Sequence, residues 1–118
     1  MTNILFCHTN DYIKGELQEL VTDLHGSAFF AATVEEAVTI LHTHPIDILF
    51  FELRKIADAG LLKYTNDHFN NVRIILTVES GMHDAIATIK NVHFEVLQEP
   101  LVLKELRAIV RKLEVCAP

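Results

Sequence analysis

The sequence predicts an α/β domain in which a parallel sheet of five strands is covered by helices on both faces. Short apolar runs alternate along the whole chain with longer segments whose apolar residues recur at helical spacing, which is the pattern of βα units. The third and fourth apolar runs are continuous instead of alternating with polar residues, as is typical of parallel strands buried on both faces. Together these observations predict a strict alternation of strands and helices.

The five apolar runs are the predicted strands, and they are four to six residues long: Ile4–Cys7, Ala28–Ala31, Ile46–Phe51, Arg73–Val78 and Phe94–Gln98. In alternation with five helices they give a (βα)5 doubly wound domain. Its expected strand order is 2-1-3-4-5, which is that of the flavodoxin-like class. At 118 residues the chain is expected to be a single domain, residues 1–118.

The first two predicted helices carry start and stop signals. Asn10 or Asp11 is the expected N-cap of the first helix, which ends at His25-Gly26 with Gly26 in the left-handed conformation of a C-cap. The second helix begins at Thr33 with the pattern Thr33-Val34-Glu35-Glu36, which is typical of a capping box.

The other three helices are predicted mainly from the spacing of apolar residues. The third follows Gly60 and runs to about Phe69. The fourth starts at Ser80 and includes Ala85, Ile86 and Ile89. The fifth is opened by Pro100, since proline suits a first helical turn. Its inward stripe consists of Leu103, Leu106, Ile109, Val110 and Leu113.

Composition and charge argue against several classes of function. Acidic residues outnumber Lys and Arg by 16 to 10, and the formal net charge of -6 disfavours direct binding to nucleic acid. No apolar stretch approaches the ~20 residues of a membrane span, and the N-terminus lacks the pattern of a signal peptide. Cys7 and Cys116 are interpreted as reduced thiols. We therefore expect a cytoplasmic protein with no nucleic-acid or membrane partner.

Polar residues follow three of the predicted strands. The first apolar run ends in Cys7-His8-Thr9, the third ends at Glu52, and the fifth ends in Glu99-Pro100. Asp11 follows His8 closely in the sequence. Because open α/β sheets bind ligands outside the carboxyl ends of their strands, these residues predict a site at that edge of the sheet.

The spacing of residues along essentially the whole chain resembles that of the response-regulator receiver domain. The agreements, in chain order, are Glu36-Ala37, Asp47, Gly60, Thr77 and Pro100. The resemblance implies a role in two-component signal transduction. It places Glu52 at the position of the phospho-accepting aspartate and Thr77 at that of the hydroxyl that contacts the phosphoryl group.

The same resemblance implies that the phosphorylation chemistry is lost. His8 and Thr9 replace the acidic pair that holds Mg²⁺, so metal binding is expected to be weak or lost and no cofactor is expected. Glu52 replaces the aspartate, and its additional methylene moves the carboxylate oxygens by about 1.5 Å. Glu99 replaces the lysine that neutralises the phosphoryl group, and a carboxylate there repels such a group.

Two valines extend these departures. Val78 follows Thr77, where the family has a small residue that keeps the entry to the site open. Val96 is at the position of the aromatic residue whose change of rotamer reports phosphorylation. Since valine cannot swing between buried and exposed positions as tyrosine does, we expect this readout to be absent.

Two interpretations of Glu52 follow from the resemblance. Its longer, negatively charged side chain can mimic an aspartyl phosphate and hold the domain in an active-like state. Alternatively, the pocket is a relict in which Glu52 pairs with Arg54 or Lys55 or points to water. We favour the second interpretation, because Glu99 removes the cation that a mimic would engage.

Two further alternatives stay open. His8, Asp11, Glu52 and Glu99 are weak candidate ligands for a metal ion, because imidazole and carboxylates together suit Zn²⁺ or Mn²⁺. The contrasting hypothesis is a receiver that retains phosphotransfer through Asp11 and Glu52 or another acceptor. A phosphate-accepting role for Cys7 is disfavoured, because Ile13 stands where a phosphatase has arginine.

If phosphotransfer is lost, the function is expected in a surface. The resemblance implies the face made by the fourth helix, the fifth strand and the fifth helix, which here consists of Met82, Ala85, His93, Glu95, Lys104, Arg107 and Arg111. The expected partners are signalling proteins or a second copy of the chain. The predicted function is a phosphorylation-independent interaction or regulatory module, and not an enzyme. It acts alone or as the N-terminal part of a longer regulator.

Overall fold

The computed structural model describes residues 2–7, 13–53, 59–78, 86, 89, 92–98 and 103–116. Five parallel strands form one sheet in the order β2-β1-β3-β4-β5. The strands are β1 (Ile4–Cys7), β2 (Ala28–Ala31), β3 (Ile48–Leu53), β4 (Arg73–Val78) and β5 (Glu95–Gln98). The helices are α1 (Lys14–Asp23), α2 (Val34–Thr43), α3 (Gly60–His68) and α4 (Leu103–Cys116). The predicted fold class and strand order are confirmed.

Two apolar cores lie on the two faces of the sheet, because successive side chains of a strand point to opposite faces. One core joins β1, β3 and β4 to α2 and α3, with Phe51 and Leu76 at its centre. The other joins the sheet to α1 and α4 through Phe6, Phe50 and Ile75. The continuous burial of β3 and of β4 beyond its first residue explains the uninterrupted apolar runs of the sequence.

The boundaries of two strands differ from the prediction. β3 is Ile48–Leu53 instead of Ile46–Phe51, so Glu52 lies within the strand and does not follow it. The ladder with β4 continues through Leu53, which pairs with Val78. At the N-terminal end of β3, the backbone N–H of Asp47 donates to the Asn3 carbonyl at 2.9 Å. This bond holds the residue that precedes the strand. β5 begins at Glu95 instead of Phe94.

The predicted fifth helix corresponds to α4, in which Leu106 and Val110 are buried as the spacing indicated. Its predicted opening at Pro100 lies outside the described residues. Most of the predicted fourth helix, including Ser80 and Ala85, also lies outside them. In α2, Ala37 and Leu41 are buried and Ile40 is partly buried against the same core.

Of the two caps predicted for α1, the structure describes the one at its C-terminal end. The helix begins at Lys14 after Ile13, which makes no side-chain capping bond; the predicted caps, Asn10 and Asp11, lie outside the described residues. At the other end His25, with φ of 58°, takes the left-handed conformation that was predicted for Gly26. The N–H groups of His25 and Gly26 donate to Thr22 O and Val21 O at 2.9 and 3.0 Å. These two bonds form a Schellman motif with histidine at its left-handed position.

Gly26 is needed for a different reason, which is the close approach of another segment. A Cβ atom added at Gly26 would lie 1.6 Å from the carbonyl oxygen of Thr2, just before β1. No side chain fits between two backbones at this separation. The end of α1 is therefore packed directly on the chain that enters β1.

The predicted N-cap of α2 at Thr33 is confirmed. The Thr33 hydroxyl accepts a hydrogen bond from the Glu36 N–H at 3.1 Å. The Glu36 carboxylate in turn accepts from the Ala32 N–H at 3.4 Å. This reciprocal arrangement is a variant of the capping box, shifted by one residue from the usual N-cap N–H.

Asn3 connects the beginnings of three strands. Its side-chain amide donates to Pro45 O at 2.8 Å, and its Oδ1 accepts from the Ser27 N–H at 3.1 Å. Its own N–H donates to the Asp47 carboxylate at 2.8 Å. Asn3 is buried, so these bonds satisfy polar groups that have little access to water.

Thr65 of α3 provides a test of the core. Its side-chain oxygen is buried and has no hydrogen-bond partner in the described ranges, and such a hydroxyl destabilises the folded state. Thr65→Val should raise the free energy of unfolding by about 1 kcal/mol, measured by urea denaturation. Thr39→Val on the exposed face of α2 is the control and should change it by less than about 0.5 kcal/mol. A clear loss of stability in Thr65→Val would contradict the placement of this side chain.

Candidate functional site

Glu52 and Thr77 are neighbours at the carboxyl ends of the two central strands β3 and β4. They are register partners, and Thr77 is in turn paired with Leu97 of β5. Their side chains point to the face of the sheet that carries α1 and α4, because they are two residues beyond Phe50 and Ile75 of that core. The fold therefore places the carboxylate and the hydroxyl side by side.

Both residues are inside the protein. Glu52 is 4% exposed and Thr77 is 0% exposed. Within the part of the chain that the structure describes, the Thr77 Oγ1 atom has no hydrogen-bond partner. A buried hydroxyl with unused hydrogen-bonding capacity is uncommon in folded proteins and calls for an explanation. The low exposure of Glu52 also argues against the expectation that its side chain points to water.

The other residues predicted for this site lie outside the described residues: His8, Thr9, Asp11, Glu99 and Pro100. The same is true of Arg54 and Lys55, the suggested partners of Glu52. Of the four suggested metal ligands only Glu52 is placed. In the part of the chain that the structure describes, no three His, Cys, Asp or Glu side chains group closely enough to hold a metal ion. The metal site therefore stays a prediction.

The two valines noted in the sequence lie on the other face of the sheet. Val78 is fully buried, so it fills the space beside the end of β4. Val96 is 40% exposed and is the one large apolar side chain found exposed among the described residues. Because Val96 pairs with Leu76 and alternates with the buried Leu97, it points away from α4.

The predicted interaction face is placed in part. Met82 and Ala85 lie outside the described residues, whereas His93 is exposed and Glu95 is half-buried. The Lys112 ammonium lies 3.3 Å from the Glu95 carboxylate. The Arg107 guanidinium lies 3.2 Å from the Asp23 carboxylate of α1. Two of the charges on this side of the molecule are therefore neutralised within the domain.

An aromatic cluster between α2 and α3 was not predicted. His42 Nε2 lies 2.7 Å from the Tyr64 hydroxyl, and the Tyr64 ring stacks on His68 with centroids 4.3 Å apart. Phe69 contacts His42 edge-on at 5.0 Å. The pairing of residues 42 and 64 depends on how two helices pack, and helical periodicity alone does not indicate it. The cluster ties the exposed ends of α2 and α3 together.

None of the helices in the described ranges is long and apolar enough to cross a membrane. No family model matches the sequence, and no curated protein matches it at a significant level.

Solved receiver domains are among the structures that superpose on this chain. The signal receiver domain of an HD domain-containing protein from Pseudomonas fluorescens Pf-5 superposes with a TM-score of 0.82 at 21% identity, over 98% of this chain and 96% of that one. A response regulator receiver domain protein from Clostridium thermocellum gives a TM-score of 0.80 at 19% identity, over 96% and 94%. The receiver domain of TorR, the response regulator of the TMAO respiratory system, gives 0.83 at 15% identity over 100% of both chains. The chain therefore has the fold of response-regulator receiver domains.

Proposed function

We propose that this chain is an atypical receiver domain of two-component signal transduction that acts as an interaction or regulatory module without being phosphorylated. One observation carries the proposal. On a receiver fold, the end of β3 holds a glutamate that is 4% exposed and lies beside the fully buried Thr77.

Geometry and burial both weigh against Glu52 as a phosphate acceptor. An acceptor carboxylate must attack phosphorus in line, and a displacement of about 1 Å can lower such a rate by about a hundredfold. The additional methylene of glutamate displaces the oxygens by about 1.5 Å. A side chain this little exposed also offers a phosphodonor in solution almost no surface to approach.

The charges of the sequence point in the same direction. His8 and Thr9 stand where the family resemblance expects carboxylates for Mg²⁺, a cation that requires hard oxygen ligands. Glu99 stands where it expects a lysine. A transferring phosphoryl group is stabilised by cations, so this replacement removes stabilisation and adds repulsion.

The positions that would report phosphorylation are also altered. Val78 is buried beside the end of β4, where the resemblance expects a small residue. Val96 is a short aliphatic side chain that is already 40% exposed, so no change of rotamer can move it from a buried to an exposed state as in an aromatic switch. These features favour a domain whose interaction surfaces do not change with phosphorylation.

The proposed role is regulatory and not enzymatic, in a cytoplasmic protein. Its partners are signalling proteins, which bind through the side of the molecule formed by β5 and α4, including Glu95, Lys104, Arg107 and Arg111. The Pseudomonas neighbour is a receiver domain within an HD domain-containing protein. By analogy, we propose that this domain forms part of a longer regulator.

One observation favours a second function, a receiver that still transfers phosphate to an unusual acceptor. Among the described residues the buried Thr77 Oγ1 has no hydrogen-bond partner, and Thr77 is the register partner of Glu52, so this hydroxyl is positioned to bond to a group added at that carboxylate. The two functions differ in their need for a divalent cation, which stabilises the transferring charge.

Metal binding tests the proposal directly. Adding millimolar Mg²⁺ should leave the Tm of the wild-type protein unchanged and produce no binding heat in calorimetry. The positive control is one variant that restores the residues expected from the receiver resemblance, His8→Asp/Thr9→Asp/Glu52→Asp/Glu99→Lys. Circular dichroism first establishes that this variant is folded. This variant should gain a Mg²⁺-dependent rise in Tm, because ligand binding stabilises the native state. Saturable Mg²⁺ binding by the wild-type protein would contradict the proposal.

A further inference from the structure

β2 is the end strand of the described sheet, and its composition suits pairing with a further strand. The strand, Ala28–Ala31, contains no charged residue and no proline, which are common means of protecting an edge strand. Phe29 and Phe30 are only partly buried, and they lie on opposite faces of the sheet. Large apolar side chains therefore flank this edge on both faces.

The backbone of β2 directs two of its residues away from the sheet. The Ile4 N–H donates to Ser27 O at 3.0 Å. In this parallel pair every second residue counted from Ser27 therefore bonds to β1. The N–H and C=O groups of Ala28 and Phe30 point to the outer side of β2. Each of these residues offers one donor and one acceptor to a strand outside the sheet.

A second copy of β2, placed antiparallel, matches these groups. A twofold axis perpendicular to the sheet keeps equivalent faces on the same side, so Phe29 can lie opposite Phe29 of the second copy. Ala28 and Phe30 then form hydrogen-bonded pairs with each other across the axis, and all their outward groups find partners. The register centred on Phe30 needs the N–H of Ala32, which already donates to the Glu36 carboxylate at 3.4 Å. The register centred on Phe29 is therefore favoured.

The side chains also fit in this register. On the face that carries α2, the two Phe29 rings come together as a cross-strand aromatic pair, and such pairs stabilise antiparallel strands. On the other face Phe30 lies opposite the small side chain of Ala28, so a large residue meets a small one. Neither face brings two charged side chains of β2 together.

The flank of α1 beside β2 is not acidic. Lys14 lies over the Phe30 ring at 5.3 Å, whereas Asp23 pairs at 3.2 Å with α4 on the other side of the helix. These two contacts fix the rotation of α1. At 3.6 residues per turn Gln18 lies on the side of Lys14, and Glu16 lies on the side of Asp23. Two copies that meet at β2 therefore do not bring carboxylates of α1 together, although each chain has a net charge of -6.

The flank of α2 beside β2 supplies apolar surface. His42 contacts Tyr64 of α3 at 2.7 Å, which identifies the flank that faces away from the edge. Ile40 and Glu36 lie on the opposite flank, and Ile40 is only partly buried. Glu36 bonds to Ala32, beyond the C-terminal end of β2. In an antiparallel pair the two Glu36 side chains are therefore at opposite ends of the interface.

We infer that β2 pairs antiparallel with β2 of a second copy of this chain, with Phe29 at the twofold axis, so that one continuous sheet runs through a homodimer. The inference goes beyond the proposed function and does not depend on it. β2 and β5 are the opposite edges of the sheet, so a dimer formed through β2 leaves the side of β5 and α4 accessible to signalling partners.

Sedimentation and amide hydrogen exchange together test this inference. The wild-type protein should change from monomer to dimer as its concentration rises. Over the same range the amides of Ala28 and Phe30 should become protected from exchange, because they gain hydrogen bonds in the dimer. The Phe29 amide bonds to β1 in the monomer and should stay protected throughout. A protein that stays monomeric, or a dimer whose Ala28 and Phe30 amides gain no protection, would overturn the inference.

Two substitutions weaken the pairing in different ways. Ala28→Pro removes an outward N–H but no bond to β1, which an edge strand tolerates. Gln18→Lys places like charges opposite each other on the two α1 helices. Each should raise the Kd of the dimer by about tenfold or more. Ala108→Lys on the exposed side of α4 adds the same charge elsewhere and should leave the Kd unchanged.

Circular dichroism establishes first that each variant is folded. Gln18 is exposed, so Gln18→Lys provides the test even where proline disturbs β2. Because this substitution makes the net charge less negative, a weaker dimer cannot result from greater overall repulsion between the chains. A dimer whose Kd is unchanged by Gln18→Lys would overturn the inference.

A synthetic peptide with the sequence of residues 26–33 separates the other occupant, an extended strand of a different protein. A monomeric protein in which the Ala28 and Phe30 amides become protected only after the peptide is added would assign the edge to such a strand and overturn the inference. The interface does not include Glu52, so dimerisation is independent of Mg²⁺ binding and phosphorylation. A phosphorylated dimer would contradict only the proposed function, and an unphosphorylated monomer would contradict only the inference.

Discussion

Replacing Gly26 with alanine should lower the free energy of unfolding by about 3 kcal/mol or more. The added Cβ would lie 1.6 Å from the carbonyl oxygen of Thr2 and 2.5 Å from its carbonyl carbon. Both are backbone atoms, so no side-chain rotation can relieve the overlap. Either the end of α1 or the entry to β1 must move. Urea denaturation followed by circular dichroism measures the change, and failure of the variant to fold is the extreme form of the expected result.

Gly15→Ala is the matched control because Gly15 lies in the same helix. A Cβ atom added there meets nothing within 4 Å, and the residue is exposed. Alanine has a higher helix propensity than glycine, so this variant should be more stable by up to about 1 kcal/mol. Equal stability of the two variants would contradict the packing of α1 against the start of β1.

Phe6→Ala should lower the free energy of unfolding by about 3 to 5 kcal/mol, because it empties the centre of the core beneath α1 and α4. Phe6 is fully buried in β1. Its ring stacks on Phe30 with centroids 5.2 Å apart and contacts Phe50 at 5.5 Å. Removing the ring therefore eliminates two aromatic contacts and leaves a cavity. The measurement is again the midpoint and slope of a urea transition.

Val96→Ala is the control for this variant, because it removes apolar atoms from an exposed position of β5. It should change stability by less than about 0.5 kcal/mol. If Val96→Ala lowered the free energy of unfolding as much as Phe6→Ala does, Val96 would be part of a core. That result would contradict its assignment as an exposed residue of β5.

The fold was predictable from the sequence because apolar periodicity reports burial directly. The uninterrupted runs at Ile48–Phe51 and Ile74–Leu76 identify central parallel strands, and the spacing of Leu106 and Val110 identifies the inward face of α4. Thr33 was predictable as a cap, since its bond to the Glu36 N–H involves residues three apart.

Features that depend on contacts between distant segments were not predictable. The sequence predicted the left-handed conformation at the end of α1 for Gly26, but His25 adopts it. A glycine is needed at position 26 because the backbone of Thr2 leaves no room for a Cβ atom there. The bonds of Asn3 reach residues 24 and 42 positions away. The extension of β3 through Leu53 depends on its pairing with Val78. Local spacing carries no signal for any of these contacts.

The candidate site was predictable only in outline. The strand pattern and the resemblance to receiver domains indicated that Glu52 and Thr77 lie at the same edge, and the register confirms that they are neighbours. The sequence did not indicate that Glu52 is almost completely buried, nor that the Thr77 hydroxyl lacks a hydrogen-bond partner among the described residues. Burial depends on all the segments that surround a residue, which a single strand pattern does not specify.

Intact-protein mass spectrometry after incubation with acetyl phosphate and Mg²⁺ tests the central claim most directly. The wild-type protein should keep its unmodified mass, because a buried glutamate replaces the acceptor and Glu99 replaces the neutralising lysine. The variant His8→Asp/Thr9→Asp/Glu52→Asp/Glu99→Lys is the positive control for the donor and the conditions. A wild-type protein that gains the mass of one phosphoryl group, and loses that gain in Glu52→Ala, would contradict the account and establish Glu52 as a working acceptor.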